Sequence, residues 1–180
     1  IEASQVFIIM DMKASILGNI GEMMTYLGEL DVAVATLRQS LHIYEQLAST
    51  SSTDLRGSGD MRAKLGISSS LAKALCIQRK FEEGMGVFRD SIFEESRHVG
   101  EYHHNLAGKY TNAGICALQG GLYREARELM RKALTTVERN PHVSMQDTKD
   151  IAQSNLMRLD AIITDHHHQT SGGRKVEAEL

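Results

Sequence analysis

"NIGEMMTYLGELDVAVATLRQSL", residues Asn19 to Leu41, carries apolar residues at helical spacing yet holds two glycines seven residues apart, Gly21 and Gly28. A glycine inside a helix costs about 1 kcal/mol relative to alanine, so each needs a structural reason. Sliding the stretch along the chain supplies one. "NAGICALQGGLYREARELMRKAL" begins at Asn112 and shares the leading Asn, both glycines (Gly114, Gly121), an alanine (Ala33, Ala126) and the closing leucine (Leu41, Leu134). Between them, "SLAKALCIQRKFEEGMGVFRDSI" from Ser70 is a worn copy. There Ala72 replaces the first glycine, Gly84 replaces the alanine, and Phe81 matches Tyr123. A half-copy, "NLMRLDAIITD", starts at Asn155. The starts lie 51, 42 and 43 residues apart, and a period of this size signifies stacked repeats.

Each unit reads as two helices. In the second, Ala33, Leu37, Leu41 and Tyr44, and again Ala126, Met130, Ala133 and Val137, fall on one helical face. In the first, Leu106, Tyr110, Ala113 and Ala117 form the matching stripe. Gly28 and Gly121 stand where one helix stops and the chain turns back, a position that favours left-handed backbone. Gly21, Ala72 and Gly114 serve another purpose: a side chain this small lets the facing helix come close. Helices are expected at about 5–27, 30–48, 61–78, 81–98, 101–119, 122–139 and 146–165.

The small residue at 21, Gly28, Ala33, large apolar Leu37 and small Ser40, repeated by Gly114, Gly121, Ala126, Met130 and Ala133, resemble the tetratricopeptide repeat. The usual period there is about 34 residues. The longer step here, with Asn-Leu-Ala or Asn-Leu-Gly-like first helices, resembles the repeats of kinesin light chains. "NPHVSMQDTKDIAQSNL", residues 140–156, is similar to their linkers. The middle unit departs at Ala72 and Arg79, and no unit has the family's proline at the end of its second helix. The resemblance implies an all-α fold, a right-handed superhelical solenoid of antiparallel helix hairpins. It would have about three repeats (13–48, 61–98, 101–139) plus a terminal capping helix (146–165), together forming one domain over 1–165. Residues 166–180 are expected to be a disordered tail, and the Ser- and Gly-rich stretch Ser49–Asp60 a flexible loop.

In such solenoids the first helices line a concave face used for binding. The resemblance therefore directs attention to the ladder Asn19, Ser70, Asn112 and Asn155. An amide donates and accepts, so a row of them can grip a peptide backbone without choosing its sequence. The same row could instead bond to neighbouring helices and order the stack. Glu22, Lys73, Ile115 and Arg158 follow three residues on, with Tyr26 and Gln119 a turn beyond. The family's clamp for acidic chaperone tails needs Lys and Asn where this chain has Gly18, Glu22, Ser69 and Lys73, which disfavours that partner.

Composition agrees with an interaction module. With 42 % hydrophobic and 24 % charged residues, nine methionines and no tryptophan, the chain suits an aliphatic, finely divided helical core. A net charge of −3 offers no basic surface for phosphate backbones, so no nucleic-acid partner is expected. No apolar run reaches the roughly 20 residues that span a bilayer. No phosphate loop, HExxH, GxSxG or CxxC occurs, so no enzyme activity and no cofactor are implied. His166–His168 sit on the expected tail and are not expected to hold a metal. His103 and His104 are read as capping or solvated. Cys76 and Cys116, in apolar helical patterns without a secretory signal, are expected to be two buried thiols. The reading is thus an adaptor that binds a peptide or helix of another protein, with a cytoplasmic location and self-association possible through end repeats. A chain opening on Ile1 rather than Met leaves a second reading, the regulatory or sensing part of a larger signalling or transcriptional protein.

Overall fold

Close approach between paired helices organises the fold. The computed structural model describes the backbone of residues 3–50 and 59–176, with side chains over 5–49 and 61–164. Seven helices follow one another: α1 (Ala3–Leu27), α2 (Leu30–Thr50), α3 (Gly59–Ile77), α4 (Phe81–Val99), α5 (His104–Gln119), α6 (Tyr123–Arg139) and α7 (Gln146–Val176). No strand occurs among the described residues. The architecture is all-α, of the tetratricopeptide-like helical-repeat type, with α1 to α4 packed consecutively on one another and α5 to α7 likewise.

Three equivalent turns close the hairpins. Gly28, Arg79 and Gly121 take left-handed φ values of 82°, 65° and 77°. After each, the next backbone N–H reaches back five residues: Glu29 to the Met24 carbonyl at 3.0 Å, Lys80 to Leu75 at 2.9 Å, Leu122 to Ala117 at 2.8 Å. These bonds occupy carbonyls that a helix end otherwise leaves open. The turn survives in the middle unit although its glycine is gone.

Gly21 and Gly114 perform the packing task read for them. A Cβ on Gly21 would lie 2.5 Å from Leu37 Cγ, and one on Gly114 2.8 Å from Met130 Cε. In the worn copy the small residue has crossed the pair. Ala72 replaces the first glycine, and Gly84 on the facing helix takes the tight spot, 2.5 Å from Cys76 Sγ if it bore a Cβ. A second repeated contact holds the first two hairpins. Ser40 Oγ donates to the Ala14 carbonyl at 2.6 Å, and its counterpart Ser91 donates to Leu65 at 3.3 Å.

The chain divides into two compact units, Ile1–Gly100 and Glu101–Leu180. In the first, Ala33, Val34 and Leu37 of α2 meet Leu71, Ala74 and Leu75 of α3, flanked by Met24, Leu41, Ile67 and Val87. Ala14, Ile43, Tyr44 and Leu47 form a second core, against which Ala63 and Ile67 pack. In the second unit α5, α6 and α7 pack on one another, burying Leu106, Tyr110, Met130, Ala152 and Leu159 among others.

Two helix bounds differ from expectation by three residues or more, and α2 and α3 each extend two residues into the stretch read as a loop. α5 starts at His104 rather than 101, because His103 is extended and its Nδ1 accepts the Asn105 N–H at 3.3 Å, capping the helix. The preceding turn is tied down by Tyr110 Oη, which donates to the Glu101 carbonyl, and by Asn140 Nδ2, which donates to that of Tyr102, both at 2.9 Å. The backbone of α7 remains helical to Val176, past the end expected at 165. No proline interrupts that run, and a helix already formed propagates where nothing removes a donor. The expectations for 51–58 and 177–180, and for the side chains of His166–His168, lie outside the described residues. Cys76 and Cys116 are buried, as their apolar surroundings suggest, but neither is a free thiol; each is disulfide-bonded. That corrects the expectation of reduced sulfurs. Helical patterning reports burial and carries nothing on whether a second sulfur comes within bonding reach.

Candidate functional site

Helical geometry sets Ser15, Gly18, Asn19 and Glu22 along one side of α1, three or four residues apart. The equivalent side of α3 presents Ala63, Gly66, Ile67 and Ser70. Between them lies a cleft of about 350 Å³, with Tyr44 of α2 completing its lining. The volume falls at the lower end of the roughly 300–1,000 Å³ of ligand clefts. Gly18 explains why the helices can come together here: a Cβ on it would stand 2.8 Å from Ile67 Cδ1. Tyr44 Oη and Ser15 Oγ are 2.9 Å apart and hydrogen-bonded, which fixes the tyrosine.

The lining is mostly polar or small, and Glu22 is its one formal charge. Asn19 and Glu22 are exposed and Ser70 is half-buried. An amide, a hydroxyl and a carboxylate therefore stand at an open cleft with an apolar patch at Ala63 and Ile67. This set can hydrogen-bond a main chain and attract a cation. It contains no nucleophile with an adjacent base, so it does not assemble an acyl- or phosphoryl-transfer site.

The other expected residues are distributed differently. Tyr26 and Lys73 meet: the Lys73 ammonium lies 4.5 Å from the Tyr26 ring centroid, and its Nζ donates to Tyr26 Oη at 3.4 Å. A cation over an exposed ring gains about 0.5–1 kcal/mol. In the second unit Asn112 and Gln119 are exposed on α5, and Arg158 is exposed on α7. Asn155 Nδ2 donates to the Ile151 carbonyl of its own helix at 2.9 Å. At that rung the amide serves local helix structure through one of its groups.

Sequence reasoning missed Ser15, Tyr44, Ala63, Gly66 and Ile67 as cleft residues. Ser15 and Gly66 lie four positions before Asn19 and Ser70, so extending the ladder by one helical turn would have reached both. Tyr44 carries no such signal, since its position on the apolar stripe reads simply as core.

Glu82 and Glu83 fall on an outer face, where Glu83 pairs with Arg38; Glu94 is half-buried and pairs with Lys64, and its neighbour Glu95 is buried rather than solvated. No helix among the described residues is long and apolar enough to cross a membrane. Residues 14–54, which contain most of α1 and all of α2, match the family described as Tetratricopeptide repeat. The chain is thereby similar to that superfamily over its first hairpin, and helical repeats of this kind are generally non-enzymatic scaffolds for protein–protein contact. No curated protein matches the chain.

Proposed function

We propose that this chain is an adaptor that holds an extended segment of another protein against its first helices, with the α1–α3 cleft as one station. The cleft carries the reading. Asn19, Glu22 and Ser70 converge on it from two helices, in a fold whose match is to a protein-interaction repeat. The amide and hydroxyl suit main-chain groups, and Glu22 favours a segment bearing Lys or Arg. Asn112, Gln119, Asn155 and Arg158 are further contact candidates in the second unit. Lys73 and Tyr26 act on this reading as a paired wall of the first-unit site. The long repeat period adds the analogy with kinesin light chains, whose relatives hold peptides with such asparagines.

A degenerate library of extended peptides tests the proposal. Wild-type protein should retain a subset enriched in basic residues. Asn19→Ala combined with Ser70→Ala should reduce retention at least tenfold, and Glu22→Gln should abolish the basic enrichment. The variants should melt like wild type, since Asn19 and Glu22 are exposed. Unchanged retention by folded variants would overturn the assignment of these residues.

A further inference from the structure

Helix α3 carries a glycine at 66, four residues before Ser70, to which the packing of the helices assigns no task. A glycine inside a helix weakens it relative to alanine. Those at 18, 21, 84 and 114 are explained by a neighbour less than 3.0 Å from where a Cβ would stand. Gly66 has no such neighbour: nothing lies within 4 Å of its Cβ position, and its φ is not left-handed. Gly86 on α4 and Gly108 on α5 are as unconstrained, but of these three it is Gly66 that lines the α1–α3 cleft.

The cleft has two unlike ends. Repeat register pairs Ser15 of α1 with Gly66 of α3, and Asn19 with Ser70. Around the first pair the wall is apolar or bare. Tyr44 is held there by its bond to Ser15, while Ala63 and Ile67 pack against the tyrosine's core and yet stay only half-buried. Around the second pair stand an amide, a hydroxyl and, one turn on, the Glu22 carboxylate, the one formal charge of the lining. Glu22 is seven residues beyond Ser15, about 10 Å along a helix. An extended chain covers that distance in about three residues.

We propose that the bare end is a pocket for one large apolar side chain, of Phe or Leu type, carried by the partner segment about three residues from a Lys or Arg seated at Glu22. The inference rests on the adaptor reading above and adds an anchor that main-chain contacts do not supply. With no side chain at 66, the apolar group lies directly on the α3 backbone between Tyr44 and Ile67 and completes the burial of Ala63 and Ile67. A cleft of about 350 Å³ suits one side chain, with main chain at its mouth, rather than a folded partner. Alanine at 66 would strengthen the helix and fill space that the anchor occupies. Stability is commonly given up in this way where a site must stay open.

Fluorescence anisotropy with synthetic peptide pools tests the pocket. Each pool has one fixed Lys in a Ser/Ala background and one Phe or Leu at a set distance from it. Wild-type protein should bind the pool with the apolar residue about three positions away at least tenfold more tightly than the pool lacking it. Gly66→Leu should erase that advantage and keep the preference for Lys. Gly66→Ala should weaken the advantage while raising the melting temperature by about 2–4 °C. Gly86→Ala should raise the melting temperature similarly and leave binding unchanged, which separates helix strengthening from occupation of the cleft. If Lys-bearing pools bind through Glu22 but show no apolar advantage, or folded Gly66→Leu keeps that advantage, the pocket is overturned and the adaptor reading stands. If no pool binds wild-type protein, that reading falls and the pocket with it.

Discussion

At residue 79 the backbone is left-handed with an arginine in place, whereas the two equivalent turns use Gly28 and Gly121. An L side chain in that region costs about 1–2 kcal/mol. Glycine avoids the clash and loses about 0.4–1 kcal/mol through its freer unfolded chain. Arg79→Gly should therefore stabilise the protein by about 0.5–1 kcal/mol, while Gly28→Ala and Gly121→Ala should each destabilise it by a similar amount. Urea denaturation compares all three, and opposite signs are the expected outcome. A loss of stability in Arg79→Gly would mean that the arginine side chain contributes more than its backbone strain removes. The polar residues at this scale mostly find partners close at hand. Ser40 and Ser91 bond across their hairpins, and Thr25, Thr111 and Thr136 donate to carbonyls one turn back, so burying these hydroxyls leaves no unmatched donor.

The hairpin is the element whose logic the glycines express. At 21 the neighbour is Leu37, branched at Cγ and fully buried, with that carbon 2.5 Å from any added Cβ. At 114 the neighbour is the tip of Met130, whose Cε stands 2.8 Å away. Forcing a methyl into a packed contact costs about 1–3 kcal/mol when the neighbour cannot give. Gly21→Ala should fall within that range and Gly114→Ala well below it, because a methionine tip swings aside. Thermal melts of the two single variants make the comparison, and equal costs would place the constraint in the helix backbones. Much of this element was legible in the sequence, since a repeat displays each requirement more than once. Asn19 and Asn112 aligned the units, Gly28 and Gly121 marked the turns, and Ala33 and Ala126 marked the close face. The start of α5 was set three residues early, at 101, although capping was among the readings given to His103, whose Nδ1 takes the Asn105 N–H. The exchange of roles between Ala72 and Gly84 was visible as a change of residue types, but its compensating nature needed the facing helix in place.

Across the whole molecule, the site was less legible than the fold because a repeat register gives position and not partner. The ladder offered the same two roles, gripping a peptide or ordering the stack, to Asn19, Ser70, Asn112 and Asn155 alike, whereas the structure shows different surroundings for them. Asn19 and Ser70 share a cleft, and Asn155 bonds to its own helix. Lys73 was read as a ligand contact, and no periodicity could show that Tyr26 would take its ammonium. The division of the chain into two compact units has an energetic consequence of its own. In repeat folds each element is stabilised by its immediate neighbours, so damage should remain local. Met130 is fully buried on α6 and faces Gly114 on α5; truncating a buried methionine to alanine costs about 2–5 kcal/mol. Met130→Ala should speed amide hydrogen exchange throughout α5, α6 and α7. The amides of α1 and α2, whose cores are built from Leu37, Ile43 and Tyr44, should retain their protection. If α1 and α2 lost protection equally, the two units would be unfolding as one cooperative body. The α1–α3 cleft would then depend on α6 for its shape, and binding there would weaken in the same variant.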